Sequence, residues 1–176
     1  ATVNRAMRQL AESGLLVRRR KAGTRVALNP VRHAKLEIPI IREEVESRGL
    51  EWHQAILEKG ISPASDRLTR QYQLPKNCRL LHLRSVHFAD RKPYVYETRW
   101  ISLSAVPEVE NEDFETVSAN EWLVRNAPFT HGEILFSAAK MTGEEAEIMA
   151  VGAGDAAFVL ERTTWIGDQA ITAARM

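Results

Sequence analysis

Two stretches of this 176-residue chain repeat one order of elements, and that repetition limits the available folds more than any other feature. A helical stretch followed by "LPKNCRLLHLRSVHFADRKPYVYETRWI" is echoed, after a capping box from Thr142 to Glu145, by a second helical stretch and "VGAGDAAFVLERTTWIGDQAITAARM". Each copy reads as a helix, a polar turn and a β-hairpin. Aligned on charge and size, Leu83-Arg84-Ser85-Val86-His87 falls against Glu161-Arg162-Thr163-Thr164-Trp165, and the turn at Asp90 against Gly167-Asp168. Hairpins build antiparallel ladders, and amphipathic helices need a sheet face to bury their apolar side. The expected fold is therefore α+β, one antiparallel sheet with helices packed against it.

The flanking segments add to this frame. "IPIIREEVESRGL" places Ile40, Ile41, Val45 and Arg48 on a helix that Gly49 ends, and "LEWHQAILE" alternates as a strand. Ser62-Pro63 supplies the cap and first-turn proline of a further helix running through Leu68 and Tyr72. "GAG" at 152 to 154 follows a helix and is a turn, not a phosphate loop.

Charge divides the chain. Residues 1 to 30 hold 7 arginines and lysines against Glu12 alone, while residues 31 to 176 hold 17 basic and 22 acidic residues. A basic head on an acidic body suits a polyanion at one end, since lysine and arginine release counterions from phosphates, and the charge run by itself equally reads as a solvated face. Val3, Ala6, Met7 and Leu10 make one apolar helical stripe, with Ser13-Gly14 as its stop. Off the stripe stand Thr2, Asn4, Arg5, Arg8 and Gln9, the donor and acceptor types that reach base edges and phosphates. Leu15-Leu16-Val17 begins an extended run, and Ala22-Gly23 forms a turn before Thr24-Arg25-Val26, which makes a basic wing. Asn29-Pro30 ends this part. The expected organisation is a DNA-binding segment over 1–29, a linker over 30–37 and a body over 38–176.

With 44% hydrophobic residues the chain has material for a core, and no apolar run approaches the roughly 18 residues of a membrane span. The opening residues lack the order of a signal peptide. A lone cysteine, Cys78, fits a reducing compartment, so a cytoplasmic protein is expected. The histidines His33, His53, His82 and His131 show no ligand spacing, and neither metal nor cofactor is expected. Trp52, Trp100, Trp122 and Trp165 read as core.

"TVNRAMRQLAESGLL", followed by a basic strand, a glycine and "TRV", resembles the recognition helix and wing of the winged helix-turn-helix in GntR-family transcription regulators. The likeness covers the last part of that domain. From about residue 36 onward, the order of elements with "HFADRKPYVYETRWI" and "SANEWLV" resembles the UTRA effector-binding domain, which has a chorismate-lyase-like fold. Within that group, "ETRWIS", "SANEWLVRNAPFT" and "LERTTWIGDQAITAARM" resemble the histidine-utilization repressors. The resemblance implies a homodimeric repressor that binds operator DNA through Thr2, Asn4, Arg5, Arg8, Gly23, Thr24 and Arg25 and is released by urocanate. Relatives that sense sugar phosphates are an alternative; an enzyme of chorismate-lyase type is another, although no nucleophile elbow is present.

Urocanate carries a carboxylate at one end and an imidazole at the other, so its pocket needs arginine or hydroxyl donors and an acceptor. Glu97 and Arg99 share a strand face, and His87 joins them if the Asp90 turn gives an even register sum. Related sugar-phosphate sensors place ligand contacts at positions matching His87, Glu97 and Ser118, and Thr172 matches another. Arg84 has the opposite parity and completes the candidate set. Each has a plainer reading: a mixed-charge solvent face for Glu97 and Arg99, a satisfied histidine for His87, and a helix cap for Ser118.

Overall fold

The computed structural model describes residues 3, 5–7, 16–19, 23–26, 38–74 and 78–176. The chain divides into two compact units, Ala1–Ile38 and Pro39–Met176.

In the first unit, Val3 and residues 5–7 are helical, and strands β1 (Leu16–Arg19) and β2 (Gly23–Val26) form an antiparallel hairpin. Gly23 pairs with Arg19, so it opens a strand instead of sitting in the turn, a place glycine tolerates at some loss of rigidity. Arg5, Thr24 and Arg25 are exposed. Thr2, Asn4, Arg8 and the expected linker at 30–37 lie outside the described residues.

The second unit runs α1 (Ile41–Ser47), β3 (Trp52–Pro63), α2 (Asp66–Tyr72), β4 (Arg79–Ala89), β5 (Lys92–Ser102), a 3-10 turn (Pro107–Asn111), α3 (Ala119–Asn126), β6 (His131–Lys140), α4 (Gly143–Met149), β7 (Ala156–Ile166) and β8 (Gln169–Arg175). One six-stranded sheet takes the order β3-β4-β5-β8-β7-β6, with every neighbouring pair antiparallel. This order reads the same from either edge. Strand, helix and hairpin (β3-α2-β4-β5) recur as β6-α4-β7-β8, and the two halves meet where β5 pairs with β8. The expected duplication is thus what the sheet is built from.

Its offset differs by one residue from the alignment made on residue type. Each hairpin has one bulge, after His87 in the first and after Thr164 in the second, with Tyr94 and Ile171 as the extra residues. Superposing the bulges sets His87 against Thr164 and Ser85 against Arg162. Ladder geometry, not side-chain similarity, fixes the equivalence.

Helix α2 also starts later than expected. Its cap is Ser65, whose hydroxyl accepts from the Leu68 amide, and Ser62 and Pro63 instead end β3. That strand lies at the sheet edge, where a residue without an N–H is tolerated. The capping box of Thr142 and Glu145 opens α4 as the sequence indicates.

Both faces are covered over the middle of the sheet, whereas Leu135 and Phe136 of β6 and Phe158 of β7 stay exposed. Leu81, Leu83 and Ile101 on the first face pack under Val109, Phe114, Ala119 and Leu123 from the 3-10 turn and α3. On the second face Leu80, Trp165 and Ala173 pack under Tyr72 and Leu74, with Trp100 alongside. The half-exposed Arg42 joins α1 to α3 through Glu121, which is itself fully buried. Where β8 ends, Tyr94 to Tyr96 of β5 and Ala157 to Leu160 of β7 line a cavity of about 440 Å³. No helix among the described residues is long and apolar enough to cross a membrane.

Candidate functional site

Across the middle of the sheet, Leu83 lies opposite Arg99, Arg99 opposite Ala174, and Ala174 opposite Arg162. The two arginines therefore share the first face, one strand to either side of an alanine. Two strand spacings put their Cα atoms roughly 10 Å apart. Ala174 is fully buried and projects only a methyl group, which leaves the space above it to the guanidinium groups.

The bulge decides which residues join them. The turn pairs Ala89 with Lys92 and Phe88 with Pro93, a register that would align Glu97 with Arg84. Tyr94 bulges out and shifts the ladder by one, so Ser85 lies opposite Glu97 and Leu83 opposite Arg99. His87, Glu97 and Arg99 consequently stand on one face. Arg84 stands on the other, where it donates to the Tyr96 hydroxyl (2.8 Å) and to Glu58 (3.3 Å). It is removed from the candidate site.

Arg99, 1% exposed, holds the centre. Its Nε donates to Glu97 Oε1, its Nη1 to the Thr172 hydroxyl (3.3 Å) and its Nη2 to Asn120 Oδ1 (3.3 Å). Thr172 in turn donates to the Trp100 carbonyl at 3.0 Å. Ser118 caps α3 by accepting from the Glu121 amide at 3.1 Å, which sets Asn120 at the start of that helix above the sheet. There Asn120 Oδ1 also accepts from Arg162 Nη2, while Asn120 Nδ2 donates to the Pro39 carbonyl at 2.8 Å. One amide oxygen thus ties two arginines together.

Three buried polar atoms of this cluster have no hydrogen-bond partner among the described residues: His87 Nε2, Glu97 Oε2 and Arg162 Nε. Native interiors leave few such groups, because each forfeits its solvation. His87 Nδ1 accepts from the Trp52 indole Nε1–H at 3.3 Å, so the ring proton of the neutral form resides on Nε2. Burial lowers the pKa of His87, opposed by the Glu97 charge and aided by Arg99. Burial alone would raise that of Glu97; the charge and hydrogen bond of Arg99, together with His87 and Arg162, hold it below the usual carboxylate range. Arg162 is brought down to about 10 by burial and by the Arg99 charge. Within the cluster, two buried guanidinium groups face the one carboxylate of Glu97.

The cluster brings together His87, Glu97, Arg99 and Thr172 from the sequence candidates and adds Arg162, Asn120 and Trp52, which sequence reasoning misses; Ser118 serves as the helix cap, its plainer reading. Arg162 falls on the correct face only when the repeats are aligned by their bulges. Asn120 is visible in hindsight, two residues past the cap of a helix already singled out. Trp52 is half-buried and bonds His87, whereas Trp165 belongs to the core as expected. No group of three or more histidine, cysteine or acidic side chains among the described residues is arranged to hold a metal.

Residues 47–176 match the UTRA domain family. The chain belongs to the UTRA-domain family. This UTRA chain is 30% identical over 99% of its length to the histidine utilization repressor of Pseudomonas putida and covers 71% of that protein. It is 29% identical, over 61% of its length, to the mannosyl-D-glycerate transport/metabolism system repressor of Escherichia coli, covering 45% of it. The solved C-terminal domain of a histidine utilization repressor from Pseudomonas syringae pv. tomato matches 71% of the UTRA chain and 89% of that domain, with 25% identity and a TM-score of 0.66.

Proposed function

We propose that the first-face cluster is the effector site of a cytoplasmic DNA-binding repressor of histidine-utilization genes, and that its effector is urocanate. The observation that carries this reading is the pair of buried guanidinium groups around one carboxylate, with three polar atoms of the cluster unpartnered among the described residues. An interior with this composition is completed by an anion that also donates and accepts hydrogen bonds. The urocanate carboxylate meets the guanidinium groups of Arg99 and Arg162. Its imidazole N–H donates to Glu97 Oε2, and the other ring nitrogen accepts from His87 Nε2–H. All three open valences are then used.

Residues 1–29 supply the DNA contacts of this reading, with Arg5, Thr24 and Arg25 on exposed positions and Thr2, Asn4, Arg8 and Gly23 beside them in sequence. A homodimer would place two such heads on successive half-sites. Urocanate releases the operator to the extent that it favours the conformation with lower DNA affinity. The alternative of a sugar-derived effector is supported by the mannosyl-D-glycerate repressor among the relatives. Thermal-shift and calorimetric titration with urocanate, histidine and amino-sugar phosphates tests the reading. Saturable binding of urocanate alone is expected, and stabilisation by a sugar phosphate with none by urocanate would overturn the assignment.

A further inference from the structure

We infer that Trp52 is a positioning residue for effector selection: its indole N–H, bonded to His87 Nδ1, fixes the tautomer that presents His87 Nε2–H as a donor to the site. The inference rests on the effector site just proposed, and its first observable requires no effector at all.

The geometry is specific. Trp52 lies on the edge strand β3 opposite Ala89, two residues from Gln54, which lies opposite His87. The Trp52 and His87 rings are 6.0 Å apart, centre to centre, and the indole nitrogen approaches Nδ1 at 3.3 Å. An indole N–H only donates, so the nitrogen facing it must be the acceptor of the imidazole. The single ring proton is thereby assigned to Nε2, which is buried and has no partner among the described residues. Protonation of Nδ1 would set two N–H groups against one another. The charged groups around His87 are Glu97 and Arg99 from β5, with Arg162 beyond them on β7; its neighbours on β3 are the uncharged Trp52 and Gln54. Only Glu97 favours a charged imidazole. Without the indole bond, the neutral ring is free to carry its proton on either nitrogen.

The chemical consequence is a choice among ligands. A site that offers a fixed N–H takes a ligand with an acceptor at that point, and penalises one that carries a C–H there, because the buried donor stays unpaired. Urocanate has such an acceptor in its second ring nitrogen. The pyrrole analogue, in which that nitrogen is a C–H, does not.

The test uses the chain with Trp52→Phe beside the native protein. First, the 15N shifts of the His87 ring are followed from pH 5 to 8 without ligand. The native protein is expected to show one neutral form, with a protonated Nε2 and a bare Nδ1 throughout; Trp52→Phe should show mixed neutral tautomers. Second, calorimetry compares urocanate with the pyrrole analogue. Native protein should prefer urocanate about tenfold, and Trp52→Phe should lose most of that preference while the analogue's own affinity changes little. A native His87 protonated on Nδ1, or identical ring shifts in the two proteins, overturns the inference. A locked tautomer in a protein that binds neither compound overturns the effector assignment and the selection built on it, and leaves only the Trp52-fixed tautomer of His87 standing.

Discussion

Removing Arg99 tests the central claim about the site, that its charges are buried and mutually dependent. Arg99 and Glu97 are 1% and 2% exposed, and the guanidinium touches the carboxylate directly. At an effective dielectric of about 20, a contact pair is worth about 4 kcal/mol of Coulomb energy. The two longer bonds, to Thr172 and Asn120 at 3.3 Å, add about 0.5 kcal/mol each at the weak end of the usual range. Arg99→Met should therefore lower unfolding free energy by about 3–5 kcal/mol, because it takes from the buried Glu97 its bonded partner and leaves only the through-space charge of Arg162. Adding Glu97→Gln removes the carboxylate charge, so the double variant should recover about 2 kcal/mol relative to the sum of the single losses. Urea denaturation followed by tryptophan fluorescence measures all four corners of this cycle. A loss below about 1 kcal/mol for Arg99→Met, or strictly additive losses, would mean that water reaches the pair and that the site is an ordinary surface.

Two further outcomes follow from the same geometry. Arg84→Ala should leave urocanate affinity within about twofold and cost roughly 1 kcal/mol, since Arg84 is partly exposed on the opposite face; a tenfold loss of affinity in calorimetry would return it to the site. Glu97 has a folded-state pKa below its ordinary 4.5, so its contribution is fully present above that value and is lost as pH falls through the folded pKa. The stability gap between native protein and Glu97→Gln should accordingly narrow between pH 5 and pH 3 in urea titrations, and a gap independent of pH would contradict the assignment.

Much of the architecture is legible because it follows from short-range rules. Caps at Ser118 and Thr142, the stop at Gly49 and alternation in the hairpins all depend on a few adjacent residues. The partnership of β5 with β8 is legible only through the duplication, since nothing near Arg99 in sequence indicates Ala174. Start sites slip where two motifs compete: Ser62-Pro63 and Ser65-Asp66 both resemble helix beginnings, and only the extent of β3 separates them. The site is harder still. The Asp90 turn by itself gives the wrong parity for Glu97, and a one-residue bulge at Tyr94 corrects it. An arginine pattern such as that of Arg84, Arg99 and Arg162 carries no mark of which member is buried. Burial there depends on Asn120, delivered by a helix that is distant in sequence.

The seam between the two halves also has a consequence for how the molecule acquires its shape. Contacts within each hairpin close over a few residues, whereas Arg99 and Thr172 across the seam are 73 residues apart in the chain. Closing so long a loop costs entropy before any bond across it is formed, and the β5–β8 ladder is four residue pairs long. The local hairpins are therefore expected to form before the seam, an order that φ-values on either side of it would test. The arginine cluster straddles that seam, one guanidinium on each half, so the part of the sheet expected to assemble last is the part where a ligand would bind.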